Sequence, residues 1–439
     1  MSNSLLIKKK IKDFNKKISV SGDKSISIRW VLLASLANGV SKAENLLISE
    51  DVIAAIKAIR KLGIKVIQNK KICKIYGNGF DGFKYKKNLT LNAENSGTLG
   101  RLILGFLVNT TKPIKLIGDQ SLSKRDFRRI SDPLSKFGAI LKLKNKKNLP
   151  LIIQGTKKLK PISYIEKRGS AQCKSSVIFA GLRTKGTTYI KAKKSRNHTE
   201  LMCKYLRLPI SVKNKKKYDE IKVKQIKEIK PFDYKIPSDI SSSSFFIVLT
   251  ILSKNSKLLI KNVNVNNSRI GVVHILKRMG GDIIFKNKKI YKGEKIADIQ
   301  IKGGKTLKAI KCPSKLNSDA IDEFLLIFLV AAKAKGISYF KDLAELNQKE
   351  SPRLKWGSRI LNMMGIKNIV TDSTLKIYGN PNLEINKQII MKNFLKDHRV
   401  FMTGVIAALS FGGKWKIHDK DSIKTSFPNF LKTINELKK

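Results

Sequence analysis

Six apolar helical segments, each preceded by a short polar stretch, constrain the fold of this chain more than any other feature. The first opening contains a lysine, three serines and an arginine, and an almost entirely apolar segment follows it. Counted from one marker residue in each opening, the openings lie 71 to 80 residues apart. Recurrence at this period indicates a repeated structural unit. The openings are residues 21–29, 95–98, 170–172, 239–242, 322–323 and 397–399.

A second set of helices alternates with the first. Residues 51–62 form an amphipathic segment that ends at Gly63 and leads into a short apolar run. Glycine after the last helical turn is a common C-cap, because it adopts the left-handed conformation without steric cost. The other copies are residues 133–137, 272–279 and 353–364, and two without the glycine are residues 200–206 and 430–437.

The order helix, strand, helix, strand pair predicts an α/β protein of six repeats. Because the first helix of each repeat is apolar nearly all round, it is expected to be buried in a globular domain. We predict an N-terminal domain of three repeats at residues 21–238. Residues 1–20 and 239–439 form the C-terminal domain, with one strand from residues 5–20 returning to it. Hairpin turns are predicted at residues 145–148 and 286–289.

Composition limits the classes of function. The net charge is +58 and the pI is near 10.2, which would ordinarily suggest a nucleic-acid partner. Lysine is spread along the whole chain, however, and no stretch combines basic and aromatic residues as a nucleic-acid platform does. We therefore expect no nucleic-acid partner, although the charge would attract small anionic substrates.

The remaining composition predicts a cytoplasmic protein without metal or membrane contact. The four cysteines are scattered without a Cys-x-x-Cys pair, which favours a reducing compartment. The four histidines show no metal-ligand spacing. The longest apolar runs are shorter than a membrane span. The apolar run near the N-terminus is too short for the hydrophobic region of a signal peptide.

The first opening has the chemistry of an anion site. Lys24, Ser25 and Arg29 lie on the first turns of a predicted helix. Free backbone N–H groups and the positive end of the helix dipole favour an anion there. A cationic side chain and a hydroxyl add charge-assisted hydrogen bonds. The alternative is a solvated, charged helix face.

Nine short motifs occur in order along the chain, and each alone is a weak signal. They are SGDKSISIR at residues 21–29, NSGTLGR at 95–101, GDQSLSKR at 118–125, SAQCKS at 170–175, RNHTE at 196–200, IDE at 321–323, KESPR at 349–353, DHR at 397–399 and TSFP at 425–428.

Together these motifs make the chain resemble the 5-enolpyruvylshikimate-3-phosphate synthases over the family's full length. The resemblance implies two domains, each of three β-α-β-α-β-β repeats with buried parallel helices, an arrangement known as an inside-out barrel. It implies a transferase that moves the enolpyruvyl group of phosphoenolpyruvate to the 5-hydroxyl of shikimate 3-phosphate in the biosynthesis of aromatic amino acids. No cofactor or metal is implied. We expect a monomer whose active site lies in the cleft between two closing domains.

The resemblance also implies which residues act. The catalytic residues would be Lys24, Asp322 and Glu350. The ligands of shikimate 3-phosphate would be Lys24, Ser25, Arg29, Ser170, Ala171, Gln172, Arg196, Asp322 and Lys349. The ligands of phosphoenolpyruvate would be Lys24, Gly97, Arg125, Gln172, Arg353 and Arg399, and glyphosate would occupy the same pocket.

The implied reaction explains why carboxylates are needed. One group must remove the proton of the attacking hydroxyl, another must protonate the methylene carbon, and both steps reverse when phosphate leaves. Which group moves which proton stays open. Each assignment has a purely structural alternative. Asp322, Asn95 and Ser96 could be helix caps, and the arginines could be surface charges.

Two other functions compete with this interpretation. The sister enzyme that acts on a UDP-sugar in cell-wall synthesis typically has a loop cysteine near the position of Arg125, and residues 118–129 contain none. A basic nucleic-acid-binding scaffold is the more remote alternative. Departures from the family pattern lie at Pro352, Asp126 and Thr425, and none removes a proposed catalytic group.

Overall fold

The computed structural model describes residues 3–69 and 72–438, and the chain divides into two units. The N-terminal unit consists of Gly22–Ile236 together with Tyr291–Glu294. The C-terminal unit consists of Met1–Ser21, Pro237–Ile290 and Lys295–Lys439. Residues 1, 2, 70, 71 and 439 of the domain assignment made from the sequence lie outside the described residues.

Three four-stranded sheets surround the central helices of the N-terminal unit. In every sheet the first strand pair is parallel and the next two pairs are antiparallel. The helices are α1 (Lys24–Ser35), α2 (Glu50–Lys61), α3 (Gly97–Leu107), α4 (Gln120–Ser123), α5 (Arg128–Ser135), α6 (Ala171–Gly181) and α7 (His198–Tyr205). The strands are β3 (Asn38–Glu44), β4 (Lys65–Gln68), β5 (Ile72–Asn78), β6 (Leu89–Asn92), β7 (Ile114–Ile117), β8 (Ile140–Lys144), β9 (Asn148–Gln154), β10 (Ser163–Glu166), β11 (Thr187–Lys193), β12 (Ile210–Asn214), β13 (Tyr218–Lys224) and β14 (Tyr234–Lys235).

The core of this unit is built on α1, α3 and α6, which are buried along nearly their whole length. Each begins at a polar cap: Asp23, Ser96 and Ser170 accept hydrogen bonds from backbone N–H groups of their helices. Because the caps satisfy donors that would otherwise be orphaned, the helix ends can sit among buried residues. The apolar segments with polar openings are therefore central helices, as predicted.

The C-terminal unit has the same type of core with less regular sheets. Its strands are β1 (Ser4–Ile7), β2 (Asn15–Ser19), β15 (Lys257–Asn264), β16 (Asp282–Tyr291), β17 (Glu294–Lys302), β18 (Gly336–Phe340), β19 (Asn368–Val370), β20 (Leu375–Gly379), β21 (Ile385–Met391) and β22 (Gly412–His418). Its helices are α8 (Ile240–Leu252), α9 (Gly271–Arg278), α10 (Asn317–Ala320), α11 (Phe324–Lys333), α12 (Arg353–Met363), α13 (His398–Phe411) and α14 (Phe430–Lys438), and α8, α11 and α13 form the core.

Three details differ from the sequence predictions. The N-terminal segment forms two strands rather than one: β2 pairs with β15, and β1 pairs with β22. Within the described residues the last repeat has no hairpin after β22, and β1 occupies the position beside β22 that a hairpin strand occupies in the four-stranded sheets. The turn predicted at residues 286–289 is wrong, because these residues continue β16 and the chain turns at Lys292 and Gly293, which both have positive φ. Glycine supplies the conformation that such a turn requires.

The predicted fold class is confirmed: the protein is α/β, with three buried helices in each unit. Among the described residues the strands form six separate sheets of three or four strands. In that same part of the chain, no helix has both the length and the hydropathy needed to cross a membrane.

Candidate active site

The N-terminus of α1 places Lys24 beside a buried carboxylate. Asp23 caps the helix by accepting a hydrogen bond of 2.9 Å from the backbone N–H of Ile26. The Nζ atom of Lys24 lies 2.9 Å from Oδ2 of Asp51 on α2, and the Asp51 side chain is only 7% exposed. The pair holds the ammonium group at the first turn of the helix, where the dipole favours an anion.

Arg29 lies one turn further along α1, where it is buried and forms hydrogen bonds to uncharged groups. Its guanidinium donates to Thr199 Oγ1 at 2.7 Å, to the backbone oxygen of Ser25 at 2.9 Å and to Ser175 Oγ at 3.2 Å. Burial lowers the pKa of Arg29 to about 10, and the negative charges of Glu200 and Asp23 offset that effect only in part. Because its hydrogen bonds go to uncharged acceptors, an anionic ligand would stabilise the buried guanidinium further.

Gly97 is the first residue of α3, and arginine side chains crowd it. A Cβ atom at this position would lie 2.9 Å from Nη1 of Arg101 and 3.1 Å from Nη1 of Arg125. Arg101 donates to Oε1 of Gln172 at 2.5 Å, and the amide nitrogen of Gln172 donates to Thr98 at 3.0 Å. The N-termini of α3 and α6 are therefore joined by side chains, among which Gln172 is a predicted ligand.

The remaining predicted ligands of this unit lie near the same helix ends. Ser170 caps α6, with its hydroxyl accepting from the backbone of Cys173 at 3.3 Å, and Ala171 is the first helical residue. Arg196 lies close enough to Arg29 for its charge to lower the pKa of that group. The structure therefore assembles all nine predicted residues of this unit around the N-termini of α1, α3 and α6.

In the C-terminal unit, Arg353 joins three carboxylates. Its Nε atom lies 2.9 Å from Oδ2 of Asp397, and Nη1 lies 3.4 Å from Oδ1 of Asp322. Nη2 donates to the carboxylate of Glu350. The Arg353 side chain is only 2% exposed, so these charges interact in a weakly polar environment.

The cluster perturbs both partners in the directions expected for a buried ion pair. Burial raises the pKa of Asp397, but the charge and hydrogen bond of Arg353, together with the charge of His398, bring the pKa below its usual value. Burial likewise opposes the charge on Arg353, and Asp397, Glu350 and Asp322 together raise its pKa above the ordinary value. The two groups stay ionised at neutral pH and hold α12 against the start of α13.

Arg399 and Lys349 extend the cluster around Asp322. Nη1 of Arg399 donates to the backbone oxygen of Asp322 at 2.8 Å and lies 3.4 Å from Oε1 of Glu323. Nζ of Lys349 lies 3.6 Å from Oδ1 of Asp322. All five residues predicted for this unit therefore lie in one network at the N-termini of α11, α12 and α13.

Sequence reasoning missed the residues that hold the predicted ones in place. Asp397 is the first residue of the DHR motif and the N-cap of α13, so the motif was an available signal for it. Arg101 ends the NSGTLGR motif, which was likewise an available signal. Asp51 had a weaker signal, because it lies outside the motifs and its partner Lys24 belongs to another helix. Among the described residues, no group of three or more His, Cys, Asp or Glu side chains is arranged to hold a metal ion.

Comparison with known proteins identifies one family over nearly the whole chain. The model of the family described as EPSP synthase (3-phosphoshikimate 1-carboxyvinyltransferase) matches residues 8–434. The chain is 42% identical over 422 residues to the 3-phosphoshikimate 1-carboxyvinyltransferase of Ruthia magnifica subsp. Calyptogena magnifica, which covers 96% of this chain and 94% of the relative.

Solved structures agree with this match. The structure is similar to an EPSP synthase from Acinetobacter baumannii, with a TM-score of 0.87, 34% identity and coverage of 98% of this chain and 97% of the other. It also resembles the enolpyruvyl transferase NikO from Streptomyces tendae, with a TM-score of 0.77, 15% identity and coverage of 100% and 98%. The second likeness concerns the fold alone.

Proposed function

The chain belongs to the EPSP synthase family, and from that premise we propose that the two clusters of charged residues carry the family's reaction. The protein is a transferase that moves the enolpyruvyl group of phosphoenolpyruvate to the 5-hydroxyl of shikimate 3-phosphate and releases phosphate. The reaction belongs to the shikimate pathway of aromatic amino acid biosynthesis. Its substrates are small anions, as the cationic helix ends require.

The N-terminal unit would bind the phosphate ester and part of phosphoenolpyruvate. Arg29 supports this role because its buried charge has mainly neutral partners, so a phosphate group would supply the missing negative charge. Ser25, Ser170, Ala171, Gln172 and Arg196 would complete the site for shikimate 3-phosphate. Lys24, Gly97 and Arg125, again with Gln172, would contact phosphoenolpyruvate, and Gly97 would allow its close approach.

The C-terminal unit would supply the acid and base groups. Asp322 and Glu350 would exchange protons with the attacking hydroxyl and with the methylene carbon, together with Lys24. Arg353 and Arg399 would hold phosphoenolpyruvate and stabilise charge on the departing phosphate. Lys349 and Asp322 would contact the shikimate ring. Both sets of residues are proposed to act on one pair of substrates, since the resemblance assigns ligands of each substrate to both units.

We propose further that the protein works as a monomer in the cytoplasm. In support of a monomer, this one chain supplies both the cations and the carboxylates that the proposed reaction needs. The four cysteines are also unpaired and buried, which suits a reducing compartment.

One observation carries the assignment of roles: Asp322 and Arg399 are 77 positions apart in sequence, yet they share a network with Glu350 and Arg353. The test is a coupled assay of phosphate release from phosphoenolpyruvate. We expect turnover with shikimate 3-phosphate and none with UDP-N-acetylglucosamine. Turnover with the sugar nucleotide alone would support the sister activity, and turnover with neither would contradict the proposal.

A further inference from the structure

Glu323 lies next to the proposed base Asp322, but it is buried. Only 1% of the side chain is exposed, and its Oε1 atom accepts a hydrogen bond from the hydroxyl of Ser241. The same oxygen lies 3.4 Å from Nη1 of Arg399, which also donates to the backbone oxygen of Asp322 at 2.8 Å. A buried carboxylate is costly unless it is paired, so a contact of this kind indicates a specific task.

A buried arginine, Arg269, contacts Ser241, which is the hydrogen-bond donor to Glu323. Nη2 of Arg269 donates to Ser241 Oγ at 2.6 Å and lies 3.6 Å from Oδ1 of Asp239, the cap of α8. Arg269 is 2% exposed. The chain of contacts therefore runs from Arg269 through Ser241 and Glu323 to Arg399, and it crosses the N-termini of α8, α11 and α13.

This chain of contacts has no direct place in the reaction as proposed, because none of Arg269, Ser241 and Glu323 is among the proposed ligands. Its effect is geometric. Arg399 has a long side chain with several rotamers, and a substrate that binds it must otherwise order it at an entropic cost. Two fixed acceptors, the backbone oxygen of Asp322 and the carboxylate of Glu323, hold its guanidinium in one orientation before a ligand arrives.

We propose that Glu323, held by Ser241 and Arg269, is a positioning residue that fixes Arg399 for binding the anionic donor substrate. The inference rests on the proposed role of Arg399 as a ligand of phosphoenolpyruvate. It assigns no chemical step to Glu323, which acts only through Arg399.

The test is the Glu323→Gln variant, which keeps the shape of the side chain and removes its charge. Hydrogen bonds to charged groups contribute about 1.5–3 kcal/mol, so we expect the KM for phosphoenolpyruvate to rise roughly tenfold. The change in kcat is expected to be smaller, because Arg399 would hold the donor in both the ground state and the transition state. If Glu323 were merely a nearby negative charge, its removal would instead lower the KM of an anionic substrate.

A double-mutant cycle shows whether the effect passes through Arg399. In an Arg399→Lys background, which has lost the planar fork, Glu323→Gln is expected to change the KM less than about twofold. The matched control is Asp298→Asn, another buried carboxylate of the same unit, whose partners Lys261, Asn262 and Asn287 are not proposed ligands. It is expected to alter thermal stability but not the KM.

The outcomes separate this inference from the proposed function. An unchanged or lowered KM in Glu323→Gln, or an equal effect in both backgrounds, would overturn the positioning role while leaving the activity established. An unchanged KM in Arg399→Lys alone would overturn the assignment of Arg399, and the inference with it. If Glu323→Gln does not fold, Ser241→Ala tests the same chain of contacts, and a KM that does not rise would contradict it.

Discussion

Two buried arginines show how surroundings decide what a cation does. Arg29 has mainly hydroxyl and carbonyl partners and its pKa is lowered, whereas Arg353 has three carboxylate partners and its pKa is raised. The charge of Arg353 is already balanced within the protein. Arg29 is the group for which a phosphate would bring compensation, so it is the stronger candidate for the main phosphate ligand.

At the scale of the residue, Lys24→Ala should lower kcat/KM by about 100-fold or more, because the proposed role combines proton transfer with charge stabilisation. The measurement is steady-state phosphate release. Since Lys24 pairs with the buried Asp51, thermal unfolding must be recorded alongside it. The control is Lys57→Ala on α2, where the side chain is exposed. Equal activity in both variants would contradict the role of Lys24.

Gly97→Ala should weaken glyphosate binding more than phosphoenolpyruvate binding. The added methyl group would displace the guanidinium ends of Arg101 and Arg125, and one methyl in a packed site is worth roughly 10- to 200-fold in affinity. The measurement is competition between glyphosate and phosphoenolpyruvate in wild type and variant. The control is Gly100→Ala on the same helix, where the new Cβ meets its nearest neighbour only at 3.4 Å.

Equal inhibition of the wild type and the Gly97→Ala variant would show that this glycine does not determine the clearance for the inhibitor. A wild type that resists millimolar glyphosate would have the same meaning. A comparable loss in Gly100→Ala would point to a general disturbance of α3 instead.

The sequence suggested candidate ligands more readily than the residues that contact them. Lys24, Arg29 and Arg399 could be proposed as ligands because each belongs to a local motif that opens a helix. Asp51 could not be identified, because its role depends on which helix packs beside it. Glu323 lies in the IDE motif, but its contact with Arg399 arises only from tertiary packing.

At the scale of the element, the contact between α3 and α6 depends on the absence of a side chain. A Cβ at Gly105 would lie 2.3 Å from the backbone oxygen of Ser176, which cannot move independently of its helix. Phe106 of α3 and Phe179 of α6 add to this contact, because their rings stack with centroids 4.2 Å apart. The two helices therefore approach closely because one of them carries glycine at this position.

Gly105→Ala should destabilise the protein by about 1–3 kcal/mol or more, because the helices must separate to admit the methyl group. Gly100→Ala, five positions earlier on α3, should be neutral or stabilising, since alanine has about 1 kcal/mol better helix propensity and room for its methyl group. Denaturant unfolding of the two variants measures the difference. Equal stability of the two would contradict the close-approach argument.

The elements that were predicted best are those with strong local signals. All six polar openings precede central helices, because capping and uniform hydrophobicity can both be read locally. The turn near residues 286–289 was misplaced because its asparagine and lysines are typical of turns. In the structure Asn287 keeps a positive φ within β16 and donates to Asp298 at 2.8 Å, a partner that lies in another strand.

At the scale of the whole molecule, each unit has a sheet whose edge strand is distant in sequence from the strand it pairs with. β14, near the end of the N-terminal unit, lies parallel to β3 near its start. β2 likewise lies parallel to β15 after the chain has completed the N-terminal unit. Sequence periodicity predicts the repeats, but it cannot say which edge strand closes which sheet, because that choice depends on long-range pairing.

The net charge of +58 leads to the last prediction, which concerns the capture of substrates. Both substrates are anions, so kcat/KM should fall as potassium chloride is raised from about 0.1 M to 1 M, where the Debye length shrinks from about 10 Å to 3 Å. The value of kcat should change less, because a bound substrate is in direct contact with its ligands and is screened less than an approaching one. Initial rates at each salt concentration measure both constants, with thermal unfolding as the check that the protein stays folded. A kcat/KM independent of salt would mean that the positive charge takes no part in substrate capture and reflects composition alone.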